Sequence, residues 1–498
     1  MAENIRELAL EVLLALEKKE TEFSSRLITD VLDKYDYLEG RDKAFFKRLT
    51  EGTIERQLEL DYYLNAFSSV PVNKMKPLVR CLLRLGVYQV LYMDNVPDSA
   101  ACNEACKLAA KRGFGNLKGF VNGVLRNISR SKGSLPLPDE GREPVKYFSV
   151  KYSMPEWLVE LWMDEYGRKI TEKILEGLLK IHPVSLRFRT DMSDAGRKEC
   201  IKRFREQGME LTPGGYLPYC FFLGSAADGH VDNIRRLPGY EEGSFTVQDV
   251  SSALAVEAAG LTAGDFVIDV CAAPGGKSLL AAEKAGRVLA RDVSEEKTGL
   301  IRGNAERMRA ENIEIQVFDG QQTDEELMGR ADAVFLDVPC SGFGVIGKKR
   351  DIKYRVTRED LESLVELQRR IVTASAGYVK PGGTLVYSTC TIHRAENEDM
   401  VRFITRELGF VPESLEGILP EEVLAEKKRI AELKAGTDAV GPGTGLKDAE
   451  VGTGLTDAEV GTGLTAAEDA ACIQLLPGFM ECDGFFIARF RRPLPQGI

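Results

Sequence analysis

Apolar residues recur at helical spacing along the first part of the chain. Ile5, Leu8, Ala9, Val12, Leu13 and Leu16 form one stripe. Leu78 to Met93 is apolar on nearly every side, so that helix is expected to be central and buried. Asp98 is placed to cap a helix running to Lys111, which Gly113 then stops. Residues 1–135 therefore read as all-helical, and Gly133–Pro144, rich in Pro and Gly, as a linker. The pattern changes over 145–244. Pro155 stands near the start of a helix carrying Trp157 and Trp162. Strand-like runs follow at Val184–Thr190 and Tyr219–Leu223, with an Arg- and Lys-rich helix around Ala195–Gln207 between them. This is a small α/β module.

From Phe245 the chain alternates short apolar runs with helical segments. The runs are Val267–Val270, Val288–Asp292, Ile313–Phe318, Ala331–Leu336 and Thr384–Ser388. That order implies a parallel sheet wrapped by helices over 245–410, with ligands bound beyond the carboxyl ends of its strands. Within 411–470 the run Val451–Glu459 recurs as Val460–Glu468, with a looser copy from Val440. So few Gly- and Thr-rich copies cannot bury a core, and the segment reads as a disordered insertion after a charged helix, Glu421–Ala435. Strand-like sequence resumes at Cys472–Leu476 and Gly484–Phe490, so 471–498 completes the sheet.

The length of 498 residues fits about three domains. No long uncharged apolar run is present, so no membrane span is expected. The amino terminus lacks a signal peptide's basic start and apolar core, and a cytoplasmic protein with reduced thiols is expected. The ten cysteines form no paired CxxC set, and His182, His230 and His393 show no ligand spacing, so no metal is expected. Nothing demands more than a monomer. The net charge of −11 argues against a nucleic-acid partner until its distribution is considered. Residues 411–470 carry −8 of it. Between Cys106 and Leu135 lie Lys107, Lys111, Arg112, Lys118, Arg126, Arg130 and Lys132, with no acid. Such a run suits either a solvated face or a phosphate backbone.

The chemistry gathers at strand ends. Asp269 ends one strand, and Cys271-Ala272-Ala273-Pro274-Gly275-Gly276-Lys277 leads into the next helix. Small residues there let backbone amides approach a ligand. Asp292 ends the following strand, where an acid can hold ribose hydroxyls, and Asp319 ends the third, where it could meet an adenine amino group. The loop is not GxGxxG, which weakens a dinucleotide reading. Two cysteines stand out from the others. Cys340, in Leu336-Asp337-Val338-Pro339-Cys340-Ser341-Gly342, and Cys390, in Val386-Tyr387-Ser388-Thr389-Cys390, both lie just past strand ends on the ligand side. Asp337, three residues before Cys340, is within reach of the same pocket.

These three motifs together resemble the RNA 5-methylcytosine methyltransferases that use S-adenosylmethionine. Phe245–Ser252 resembles that family's lead-in, and Leu476-Pro477-Gly478 with Asp483-Gly484-Phe485-Phe486 its C-terminal strands. Residues 1–135 resemble NusB, an RNA-binding helical domain, through Pro97-Asp98-Ser99-Ala100, Asn103-Glu104-Ala105 and Phe120–Leu125. A NusB-like front joined to such a catalytic domain is the arrangement of the RsmB (Sun) family, which methylates cytosine 967 of 16S rRNA. The resemblance covers nearly the whole chain, except the acidic repeats. It implies a multidomain protein: a NusB-like all-α domain, a small α/β linker module and a Rossmann-like class I methyltransferase domain.

The resemblance further implies that Cys390 is the nucleophile and that Cys340 assists product release. Asp337 would meet the cytosine N3/N4 edge and neighbour the cofactor's methionine end. The cofactor is S-adenosylmethionine, held by Cys271 through Lys277 with Asp292, Asp319 and Asp337. Lys277 stays open between a cation that tunes a thiolate and an ordinary helix-start lysine. The partner is 16S rRNA, and the RNA-contact candidates are Lys107, Lys111, Arg112, Lys118 and Arg126, with Lys348, Lys349, Arg350 and Lys353 beside Cys340. Three alternatives remain. The substrate could be tRNA or another RNA. A DNA cytosine methyltransferase would use Cys340 as nucleophile. A NusB-like RNA-binding protein would have a vestigial cofactor domain.

Overall fold

The first stripe is buried on the helix Ile5–Lys18 through Leu8, Ala9, Val12 and Leu13. In the computed structural model, which describes residues 4–18, 23–180, 183–224, 234–438 and 463–495, the chain divides into two compact units. The first is Met1–Leu175 with Ile346–Arg355, and the second is Glu176–Val345 with Val356–Ile498. In the first, the helix Pro77–Tyr92 buries 11 of its 16 residues, as its all-round apolar pattern predicts. Its one buried cation, Arg84, is neutralised by Asp61 and Glu17. Asp98 does not cap the helix Asp98–Lys111. It is the first helical residue after Pro97, and its carboxylate accepts from the Ser129 hydroxyl at 2.6 Å. A carboxylate in the first turn still suits the helix dipole. The helix Glu156–Tyr166, with Trp157 and Trp162, lies within this unit, although its sequence reads as part of the α/β module.

The segment Ile346–Arg355 belongs to this helical unit despite its place beside Cys340 in sequence. Asp351 accepts from the Ser24 backbone N–H and hydroxyl, both at 2.8 Å. Lys353 is 2% exposed and donates to the Glu55 and Ser153 carbonyls at 2.8 and 2.6 Å. Arg350 pairs with Glu51 and Glu55, each at 3.0 Å. The reading of Lys353 as an RNA contact is therefore corrected: its Nζ is buried and spent on two carbonyls. Arg350 likewise has two carboxylates to hold it.

In the second unit a small sheet comes first. Strands β1 (Val184–Phe188), β2 (Glu210–Pro213), β3 (Cys220–Gly224) and β4 (Phe245–Val247) lie in the order β2-β3-β1-β4, all antiparallel. The helix Asp194–Glu206 packs Cys200 and Phe204 with Leu186, Phe188, Phe221 and Phe245. Only β1 and β3 show as strands in the sequence. The others, three and four residues long, are too short to display an alternating period.

The large sheet holds β5 (Phe266–Asp269), β6 (Arg287–Asp292), β7 (Ile313–Val317), β8 (Ala331–Asp337), β9 (Val379–Thr389), β10 (Val411–Pro412), β11 (Cys472–Leu475) and β12 (Phe485–Arg491). Its order is β10-β12-β9-β8-β5-β6-β7, with β11 on β12. Strands β5 to β9 are parallel, as the strand–helix alternation predicts. The C-terminal strands depart from that. β12 runs antiparallel to β9, β10 and β11, and its pairing with β11 needs no crossover helix because none separates the two strands. β5 has β6 on one side and β8 on the other, which makes the carboxyl end of β5 the switch point where open α/β sheets bind ligands.

The charged helix spans Glu421–Asp438. Most of the repeats, as well as His182 and His230, lie outside the described residues. The end of the last repeat is ordered, contrary to the expectation of disorder. Thr465 and Glu468 form a capping box on the helix Ala466–Ala470, and Leu464 is buried. Among the described residues no helix is long and apolar enough to cross a membrane, and no group of three or more His, Cys, Asp or Glu is placed to hold a metal.

Candidate active site

The loop after β5 turns under the next helix because Gly275 takes a left-handed φ of 104°, open to glycine at little cost. A Cβ there would also lie 3.2 Å from the Ile301 side chain. The loop is tied to β6: Ala272 N–H donates to the Arg291 carbonyl at 2.8 Å and Ala273 N–H to Asp292 Oδ2 at 3.0 Å. Asp292 also accepts from Val293 N–H and pairs with Lys297 at 3.0 Å. Asp269 at the end of β5 is fully buried. Its Oδ2 accepts from Ser278, whereas Oδ1 has no partner. Burial is the main cause that raises its carboxyl to about 6, against the pull of the Ser278 hydrogen bond. Asp319 stands two residues past β7 and accepts from Gln321 N–H at 3.0 Å, closing its own turn. Cys271 is half-buried, and burial followed by the charges of Asp292 and Asp269 pushes its thiol up.

Lys277, the second residue of the helix Gly276–Ala282, reaches across to β8. Its Nζ lies 2.5 Å from Asp337 Oδ2 and 5.3 Å from the centre of the Phe485 ring. Burial opposes its charge, but Asp337 and then Asp269 and Cys390 outweigh that and hold its pKa above the ordinary lysine value. Asp337 Oδ1 accepts from the Ser388 hydroxyl at 2.8 Å, across the β8–β9 register that pairs the two residues.

The two cysteines singled out in the sequence come together. Cys340 Sγ and Cys390 Sγ are 3.2 Å apart, 50 residues distant in the chain. The hydrogen bond to Cys390, then burial, keep the Cys340 thiol well above its usual pKa, and Glu396 adds to this. The loop following Cys340 is bound to the Cys390 turn and to the turn before β12: Gly344 N–H donates to the Cys390 carbonyl at 3.0 Å, and Gly484 N–H to the Gly344 carbonyl at 3.0 Å. Sequence reasoning missed Glu396, Asn397 and Gln368, which are fully buried behind these turns. Their one signal is position: Glu396 and Asn397 follow Cys390 within seven residues.

The basic run finds counter-charges that its own sequence lacks. Lys107 pairs with Glu104, Lys111 with Glu7, and Arg112 with Glu7 and Glu11. Lys118 and Arg126 are exposed and line one surface cavity of about 720 Å³ together with Asn103 and Asn122. Lys348 and Lys349 are exposed as well.

Residues 258–416 match the family described as 16S rRNA methyltransferase RsmB/F, residues 3–130 the NusB family, and residues 154–230 the RsmF/B-like ferredoxin-like domain. The chain is 36% identical to the probable ribosomal RNA small subunit methyltransferase B of Bacillus subtilis (strain 168), over 84% of this chain and 92% of that one. The chain belongs to the RsmB/F family. A Synechocystis relative with the same name is 32% identical over 84% and 92% of the two chains. Among solved structures, PH0851 superposes with a TM-score of 0.71 at 22% identity over 98% and 99% of the chains. NSun6 of Pyrococcus horikoshii, solved with SFG, gives 0.50 at 20% identity over 68% and 98%. These two likenesses concern the fold. The RsmB/F match begins before β5 and ends past β10, so it takes in the loop, Asp337 and both cysteines of this site.

Proposed function

We propose that this protein transfers a methyl group from S-adenosylmethionine to C5 of a cytosine in 16S rRNA, position 967 by family resemblance, through a covalent bond to Cys390. The observation that carries this reading is the pair of sulfurs 3.2 Å apart beside the Lys277–Asp337 pair, at the carboxyl ends of β8 and β9. Such a pair serves a reaction that needs one thiolate to attack and a second group to assist departure.

The residues at the switch point fit the cofactor. S-adenosylmethionine carries an ammonium group and ribose hydroxyls, all donors. The site offers acceptors at successive strand ends, among them the unpartnered Asp269 Oδ1, beside a loop kept open by Gly275. Cys271 to Lys277, Asp292 and Asp337 would hold it, with Asp319, just past the end of β7, as a further candidate. When bound it supplies the electrophilic methyl group.

The chain's own residues do the rest. A target base must leave any stack to enter such a pocket. Asp337 would take the N3/N4 edge of the cytosine. The Cys390 thiolate adds to C6, and the C5=C6 π pair shifts to make C5 nucleophilic. After C5 gains the methyl group, a solvent water takes the C5 proton, the former C5–H bonding pair forms the C5=C6 double bond, and the S–C6 bond breaks with its electrons on Cys390. Cys340, whose thiol is pushed up, assists this release. Lys118 and Arg126, exposed on the helical unit, are the cations best placed for RNA phosphate.

The test is methyl-labelled S-adenosylmethionine with unmodified 16S rRNA, and mapping of the label. Label on one cytosine, lost in Cys390→Ala, supports the reading. Cys340→Ala is expected to accumulate covalent protein–RNA adduct. Adduct that persists without Cys390 would overturn the assignment in favour of the DNA-type scheme. Transfer to tRNA alone would overturn the substrate.

A further inference from the structure

Two adjacent polar residues behind the thiols have no part in the chemistry above. Glu396 and Asn397 are each 0% exposed. Each grips a different cysteine turn. Glu396 Oε2 accepts from Ser341 N–H at 2.9 Å and from Gln368 Nε2 at 2.8 Å, and Oε1 accepts from the Ser341 hydroxyl at 2.5 Å. Gln368 Nε2 also donates to the Pro339 carbonyl at 3.0 Å, so the grip reaches both neighbours of Cys340. Asn397 Oδ1 accepts from the Thr389 hydroxyl at 2.6 Å, and its Nδ2 donates to the Thr391 carbonyl at 3.1 Å. Thr389 and Thr391 flank Cys390. The Ser341 and Thr391 hydroxyls meet at 2.7 Å and join the two grips.

The residue types match the task. Three donors converge on Glu396, and a carboxylate offers acceptors only. Burying it costs free energy unless those bonds are made, so the turn around Ser341 is held firmly in one place. A glutamine of the same shape would turn an amide N–H toward one of those donors. Asn397 needs both polarities, since it accepts a hydroxyl and donates to a carbonyl, and only an amide supplies both. Tyr387 fixes the base of the arrangement by donating to the Glu396 carbonyl at 2.7 Å.

We infer that Glu396 and Asn397 are a positioning pair that sets the separation of Cys340 and Cys390, and so governs the passage from covalent adduct to released product. The first half stands on geometry alone, and the second rests on the function proposed above. Neither residue touches the reacting atoms. Loss of the pair lets the Cys340 turn drift from Cys390, so the S–C6 bond still forms but its breakage, with the C5 proton lost and the electrons returned to Cys390, slows.

Two readouts separate these statements. In the first, the full-length protein without RNA is treated with diamide, a diazene that takes up two hydrogens as two thiols form a disulfide. The Cys340–Cys390 linked peptide is then followed by mass spectrometry. Wild type is expected to link readily. Glu396→Gln and Asn397→Ala are expected to link at least about tenfold more slowly, since a shift near 1 Å has large kinetic consequences. Linking at the wild-type rate in both folded variants would overturn the positioning role. If Glu396→Gln does not fold, Ser341→Ala, which removes one donor, is read in the same way.

The second readout is adduct against turnover with RNA and S-adenosylmethionine. The variants are expected to lose kcat about tenfold or more while retaining adduct and the KM for S-adenosylmethionine. Loss of adduct and turnover together would overturn the effect on release. If wild type itself links with diamide but transfers no methyl group to any RNA, the proposed function fails and the positioning role survives.

Discussion

Lys277 Nζ lies 2.5 Å from Asp337 Oδ2, with the two side chains only 10% and 26% exposed. Removing one partner of a buried pair costs on the order of 3–5 kcal/mol. Because Asp337 is partly open, about 1–3 kcal/mol is expected here for Lys277→Met or Asp337→Asn alone. The double variant is expected to recover most of that stability, because no charge is then left unpaired, while methyl transfer stays lost. Urea unfolding of the four proteins, with transfer assayed in parallel, checks this. Additive losses in the double variant would mean the pair is not energetically coupled.

A second prediction concerns pH. Lys353 is buried with its Nζ on two carbonyls, and burial lowers its pKa from 10.5 to about 7, with Glu55 opposing and Arg56 and Arg350 reinforcing the shift. Between these two values the unfolded chain holds a proton that the folded chain has shed. Stability contributed by this residue therefore rises with pH across that window, by at most about 1.4 kcal/mol per unit. Below pH 7 both states are protonated and the burial penalty is felt in full. Denaturant melts at intervals from pH 7 to pH 10 should show this rise in wild type relative to Lys353→Met. Parallel curves for the two proteins would exclude it.

Lys353 also marks where sequence stops being informative. The strand ends that carry Asp269, Asp292, Asp337 and Cys390 are legible, since short apolar runs punctuated by Asp, Gly or Cys fix where each strand stops. Their convergence follows from the parallel order. The basic stretch from Lys348 to Arg355 reads, in sequence, through its chain neighbour Cys340, but its partners Glu51, Glu55 and Ser24 lie about 300 residues away. In the same way, Lys111 and Arg112 look uncompensated because Glu7 and Glu11 stand about 100 residues upstream. Charge runs report composition and not which acids face them. Glu396 and Asn397 escape notice for a related reason: no periodicity distinguishes a buried carboxylate with three donors from a surface one.

The approach of two glycines supports a third prediction. A Cβ on Gly344 would lie 1.9 Å from the Gly484 carbonyl oxygen, and one on Gly484 would lie 2.6 Å from Gly344 Cα. Backbone cannot yield as a side chain could. Gly344→Ala is expected to displace the loop after Cys340, break the Gly344 N–H to Cys390 carbonyl bond, and cost about 1–3 kcal/mol of stability. S-adenosylmethionine affinity should fall less than kcat, since the cofactor loop after β5 is untouched. Calorimetric titration against steady-state kinetics separates the two, and equal losses would show that the damage is global.

The last prediction concerns the cations. Lys107, Lys111 and Arg112 are paired with acids at the surface, where such pairs contribute little and can be exchanged for phosphate only at the expense of leaving an acid near the RNA. Lys118 and Arg126 line their cavity beside Asn103 and Asn122 with no carboxylate among the lining residues. On the proposed reading these two meet phosphate. Lys118→Ala with Arg126→Ala should weaken binding of a 16S rRNA fragment and flatten the dependence of log affinity on log salt by about 0.7–0.9 for each phosphate no longer neutralised, between about 50 and 200 mM salt. Arg350→Ala, which removes a cation already held by Glu51 and Glu55, should leave that slope unchanged. The opposite pattern, a slope altered by Arg350→Ala and indifferent to Lys118 and Arg126, would move the RNA path off this face of the helical unit.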